Sequence, residues 1–260
     1  DSLDRQLRSL LLEQAGIKLP QGINLEQLSF DQLKEFAQQQ VPAQPAEAVE
    51  AEKLPLAVEM HAKTEANEKH PDRNEDAHFI IPEQGAFAIF DGMGGHAAGD
   101  KASQEARDLI ARSFQNLPEE LTLQQAQEIV RKMLVDAHNQ VYAQAQTDNS
   151  DMGTTASVGY IWQGPNGERK AIIANVGDSR IYLLRGRKLE QITLDDSLIR
   201  TVGGTIEDIR DLQSKLSDTQ DPTELSNRHI ITKCLGHDPK IAPETFIIDL
   251  LPGDRLFACS

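Results

Sequence analysis

The grouping of its periodicities narrows what this chain can fold into more than any other feature. Residues 97–115 and 123–146 place apolar positions at i, i+3 and i+4 among Ala, Gln, Glu and Arg, which predicts two consecutive helices. Beyond Asp151 the pattern turns to strands: TTASVGYIW, then KAIIANV after the turn QGPNGE, then RIYLLRG and KLEQIT. Their spacing predicts an antiparallel meander, with Gly164–Gly167 and Gly186 as turn residues. Ahead of the helices, HFIIPEQGAFAIF reads as a hairpin around a Pro/Gly turn. A polar stretch at 198–228 is followed by NRHIITKCLG and one further strand, TFIIDLLPGDRLFACS. Helices in one block and strands in others predict an α+β layered domain, not a parallel nucleotide-binding sheet.

The N-terminal part reads differently. Leu3, Leu7, Leu10 and Leu11 recur at helical spacing behind Ser2, and SFDQLKEFAQQQ pairs Ser29 with Gln32 as a helix start. Residues 1–37 are therefore predicted to be a small helical appendage, either a cap or a module for a protein partner or self-association. Residues 38–53, rich in Gln, Pro, Ala and Glu, hold too little apolar surface for a core and read as a linker to a domain over 54–260.

A net charge of −15 argues against a nucleic-acid partner, since a phosphate-binding face needs an excess of Lys and Arg. No apolar run reaches membrane-spanning length, and Cys234 and Cys259 offer neither a disulfide framework nor metal-ligand spacing. These features predict a cytoplasmic protein without membrane contact.

The loop AIFDGMGGHAAGD poses the chemical question. Gly92, Gly94, Gly95 and Gly99 fit neither a dinucleotide fingerprint nor a P-loop, and Lys101 lacks the following Ser or Thr. Asp91 stands at the end of an apolar strand, where its carboxylate can reach a cation while the small Gly92 lets a carbonyl approach the same ion. Glu75, Asp76, Asp151 and Asp178 also lie at element ends. Any one of these acids alone serves as readily as a turn former. Oxygen ligands without nearby Cys or paired His favour Mg²⁺ or Mn²⁺.

Taken together and in order, RNEDAHF, FAIFDGMGGHAAG, MGTTAS, ANVGDSRIYLL, TLDDS, NRHIITKCLG and PGDRLFACS resemble the metal-dependent protein serine/threonine phosphatases of type 2C. The DGMGGH form is that of the bacterial branch, and the resemblance runs from about Glu59 to Ser260. It implies a sandwich of two antiparallel sheets flanked by helices, in αββα layers. It also implies two Mn²⁺ or Mg²⁺ ions, with Asp91 bridging them, Gly92 giving its carbonyl to one, and Glu75 and Asp76 holding metal-bound waters. Asp151 lies where some members bind a third, weaker ion. The implied reaction is hydrolysis of phosphoserine or phosphothreonine in phosphorylated proteins by a metal-activated water. The alternative is a catalytically impaired module that binds a phosphoprotein or a regulator.

The sequence departs from the family pattern at several places. The position of the phosphate-gripping arginine is Pro71; Arg73, His70 or Lys69 could replace it, and Arg73 is the one expected, because a guanidinium grips phosphate with two parallel hydrogen bonds. Met93 stands where some members have a proton-donating His; His96 further along is either the donor or a residue that caps or packs the following helix, in which case metal-bound water is the donor. Asp196 in TLDDS replaces a frequent His. The family continues past its last Cys-Ser with a metal-ligating Asp-Gly. A chain ending on RLFAC would leave an unpaired sheet edge, so the natural polypeptide is expected to continue past Ser260.

Overall fold

The computed structural model describes residues 58–65, 74–94, 97–197 and 230–260. The predicted appendage and linker, Arg73, His96 and the polar stretch at 198–228 all lie outside the described residues.

Strands β1 (Asp76–Ile81) and β2 (Ala86–Met93) form the predicted hairpin. Helices α1 (Ala97–Gln115) and α2 (Leu123–Asp148) follow. A capping box starts α2: the Gln125 N–H donates to Thr122 Oγ1 and the Thr122 N–H to Gln125 Oε1. Asn149 ends it in the left-handed conformation. The remaining strands are β3 (Gly153–Thr154), β4 (Ala156–Gln163), β5 (Arg169–Val176), β6 (Arg180–Arg185), β7 (Lys188–Gln191), β8 (Glu244–Asp249) and β9 (Arg255–Cys259).

All pair antiparallel, in two sheets. The larger runs β1-β2-β4-β5-β8 with β3 also on β2, and the smaller runs β7-β6-β9. Period-two alternation assigns the faces. Ala86, Ala88 and Phe90 of β2, Val158 and Trp162 of β4, and Ile172 and Ala174 of β5 turn towards the helices. There they meet Ala106, Ile110 and Phe114 of α1 and Val130, Leu134 and Val141 of α2. The opposite face of the larger sheet carries Phe87, Ala171, Ile173 and Phe246, which pack on Ile181, Leu183, Leu256 and Ala258 of the smaller sheet. Among the described residues no helix is long and apolar enough to cross a membrane.

Two expectations need correction. The four central strands do not form one meander, because β5 and β6 belong to different sheets and the chain crosses between them at Gly177–Ser179. Likewise TFIIDLLPGDRLFACS is two strands: β8 borders the larger sheet, and β9 pairs with β6 as an edge strand of the smaller one, the edge position expected of RLFAC. Turn spacing reports only how far apart strands lie in sequence, and it carries no information on which sheet a strand joins.

These crossings bring the start of β1, the end of β2, the start of β4, the Gly177–Ser179 turn and the end of β9 to one end of the sandwich.

Candidate metal centre

Alternation along β2 sends Phe90 towards the helices and so turns Asp91 into the gap between the sheets, at their shared end. Asp76 stands directly opposite it on β1. The Gly92 N–H donates to the Glu75 carbonyl at 3.2 Å, which leaves Asp76 and Asp91 at a position where cross-strand side chains approach most closely. Each carboxyl group acts on the ionisation of the other. On the other side of Asp76, the Ser260 hydroxyl donates to Oδ2 at 3.1 Å.

Two like charges directly opposite on a sheet repel each other. Burial pushes the Asp91 carboxyl up to about 7, and the charges of Asp76, Asp178 and Glu75 push in the same direction. Asp76 is also raised by burial, against the hydrogen bond from Ser260.

The backbone beneath Asp91 is held rigidly. Its N–H donates to Thr155 Oγ1 at 2.9 Å, and its carbonyl accepts from the Thr155 N–H at 2.9 Å and from Thr154 Oγ1 at 3.0 Å. Thr155 lies between β3 and β4, so here a hydroxyl takes the place of a strand carbonyl. Thr155 Oγ1 also hydrogen-bonds to Ser179 Oγ at 2.7 Å, linking β2 to the sheet-crossing turn.

Gly92 has a second reason for being glycine. A Cβ there would stand 2.2 Å from the Gly99 carbonyl oxygen of α1 and 2.7 Å from the Glu75 carbonyl oxygen. A Cβ on Gly99 would meet Glu75 Oε2 at 2.5 Å. The helix therefore packs directly on the backbone that follows Asp91, and the glycine spacing of the loop serves this contact.

Asp195 and Asp196 of TLDDS are buried at the same end of the molecule and are bound differently. Asp195 takes a forked set of bonds from Arg180, with Nε to Oδ1 at 2.9 Å. Asp196 accepts from the Gly177 N–H at 3.2 Å and from Lys233 Nζ at 2.8 Å, so it clips the sheet-crossing turn to the segment after Ile230. Asp151 is exposed in the turn after α2.

Asp91, Asp76, Glu75 and Gly92 are thus brought together, and the Asp151 carbonyl lies against Gly94 of the same loop. Asp178, which stands in the turn signal ANVGDSR, proves to be a third acid acting on Asp91. Thr155 lies within MGTTAS, yet the sequence assigns it no role, because its part is to hold backbone. Among the described residues no three His, Cys, Asp or Glu side chains gather closely enough to form a metal shell on their own. The donors present fit a hard divalent ion in chemistry and charge: carboxylates and a carbonyl, all oxygen, with negative charges that repel one another until a cation balances them.

Residues 59–197, more than half of the chain, match the family described as protein phosphatase 2C. The chain belongs to that family. This phosphatase 2C domain is 31% identical over 174 residues to the serine/threonine phosphatase stp of Listeria monocytogenes. That match covers 66% of the chain and 64% of the relative, so the chain spans slightly less than two thirds of that relative's length. It is 28% identical to the protein phosphatase PhpP of Streptococcus pneumoniae over 76% of each. Among solved structures, the serine/threonine phosphatase Stp1 from Staphylococcus aureus superposes with a TM-score of 0.60 at 30% identity, covering 78% of this chain and 76% of that one. The phosphatase 2C domain shares with that structure its α+β architecture of paired antiparallel sheets and helices.

Proposed function

We propose that this protein hydrolyses phosphoserine and phosphothreonine in phosphorylated proteins and depends on divalent Mn²⁺ or Mg²⁺ to do so. The reading is carried by the opposed carboxyls of Asp76 and Asp91, held at the sandwich end with Glu75 and Asp178 beside them. It is supported by the serine/threonine phosphatases among its relatives.

Asp91 and the Gly92 carbonyl would hold the ions, with Asp76 and Glu75 beside them. Bound there, the ions would supply a water acidic enough to attack at neutral pH and would offset the charge on the phosphoryl oxygens. Thr154, Thr155 and Ser179 would keep the Asp91 backbone from moving as charge develops. Arg73 would grip the phosphate of the substrate, His96 would return a proton to the departing serine or threonine oxygen, and Asp151 would hold a weaker ion at the rim. Residues 1–37 would act separately, in docking or self-association. The alternative of a binding module without turnover has no observation in its favour.

Hydrolysis of a phosphothreonine peptide is expected with Mn²⁺, to cease with complete chelation and to fall at least about a thousandfold in Asp91→Asn. Turnover that survives either treatment overturns the proposal.

A further inference from the structure

The buried face of α2 reads Ala126, Val130, Met133, Leu134, Ala137, His138, Val141 and Ala145, and its single strongly polar member is His138. The imidazole is 1% exposed and stacks on Tyr142 at a centroid distance of 6.0 Å. A polar ring so placed needs a partner. It has one: the Gly236 N–H donates to His138 Nδ1 at 3.2 Å. A ring that accepts at Nδ1 is neutral and carries its proton on Nε2, which has no hydrogen-bond partner among the described residues.

The contact decides where the chain after Ile230 runs. Gly236 has φ +93°, and a Cβ on it would stand 2.4 Å from Val141 Cγ1, so the backbone lies flat on α2 beside the histidine. The adjacent Leu235 is fully buried and exchanges both backbone hydrogen bonds with Thr154, at 2.8 and 3.1 Å. Thr154 pairs with Gly92 and donates its hydroxyl to the Asp91 carbonyl. An unbroken series of contacts therefore joins the middle of α2 to the backbone of the two residues at the centre. The other end of the segment is tied by Asp196 to Lys233 and to the Thr232 N–H.

We propose that His138 is a positioning residue for the candidate centre: its Nδ1 holds Gly236, and through Gly236 the Leu235–Thr154 pair that fixes the backbone of Asp91 and Gly92. The turnover part of the test rests on the phosphatase reading; the hydrogen-exchange part rests on the fold alone.

Three variants separate the hydrogen bond from simple packing. Asn at 138 places an amide oxygen as far along the side chain as Nδ1, Gln carries its polar atoms one bond further, and Leu has no acceptor. In His138→Leu and His138→Gln, protection of the Gly236, Leu235 and Thr154 amides is expected to fall about tenfold, the weight of one net buried hydrogen bond. Phosphopeptide kcat is expected to fall by about the same factor with KM within about twofold, and His138→Asn restores both. If Leu fails to fold, Gln against Asn decides. Wild-type protection in a folded Leu or Gln variant, or an Asn variant as unprotected as Gln, overturns the proposal. If the unaltered protein shows no turnover, the phosphatase reading falls, and amide protection still decides the role of His138.

Discussion

Two pairs of aspartates lie at the same end of the sandwich and meet opposite electrostatic fates. Asp195 and Asp196 each have their own cation, Arg180 and Lys233, and fix the path of the chain. Asp76 and Asp91 face each other, and the neighbouring charges that raise Asp91 further are also acids. An ion pair inside a protein is complete, and breaking it is costly; a carboxylate pair inside a protein becomes stable by taking up a proton or a metal. The comparison separates acids that build the end of the molecule from acids that give it something to bind.

Exchanging the roles by mutation should expose this difference. Asp91→Asn should have the largest effect: activity is lost, while the metal-free protein becomes at least as stable as the unaltered one at pH 7.5, because a repulsion has been removed. Peptide hydrolysis and thermal melts in chelator check both halves, and a large loss of stability would erase the contrast. Asp195→Ala should do the reverse to stability, costing about 3 kcal/mol in denaturant unfolding, since it strands the Arg180 guanidinium inside the protein.

The sequence disclosed the hairpin, both helices and most strand positions, because each rests on local periodicity. It could not disclose that the chain changes sheets after Val176, returns between Gln191 and Glu244 and changes again after Asp249, since a sheet crossing and a hairpin can use turns of the same length. Of the centre, Asp91, Gly92, Asp76 and Glu75 were legible through the order of several motifs taken together. Their opposition across β1 and β2 was not, because it depends on strand register. Asp196 looked like a lost histidine and proves to be a clip for the sheet-crossing turn, which needs the distant Lys233 to be recognised.

A pH titration sharpens the comparison at smaller scale. Because the folded Asp91 carboxyl is raised from 3.8 to about 7, the folded state holds this proton more tightly than the unfolded chain does. The resulting stabilisation is fully present below about 4 and is lost as pH rises through about 7. Without metal, the melting temperature should therefore rise by a few degrees between pH 7.5 and 5.5, and Asp91→Asn should flatten that rise. A flat profile in the unaltered protein contradicts the account of the pair. The smallest effect is expected far from both aspartate pairs: Thr122→Ala should cost about 1 kcal/mol by removing a helix cap, with Mn²⁺ affinity unchanged by calorimetry.

The hydrogen bond from Ser260 to Asp76 joins residues 184 positions apart. During synthesis at about 5–20 residues per second, roughly ten to forty seconds separate the emergence of these two side chains from the ribosome. The β1–β2 hairpin can form early in that interval, but the strand that brings Ser260 to Asp76 arrives late. Throughout the delay the nascent chain carries two facing acids without the hydroxyl that later steadies one of them. Newly made protein should thus pass through a stage in which Asp76 lacks its Ser260 partner and the two facing acids meet whatever cations the surrounding solution offers.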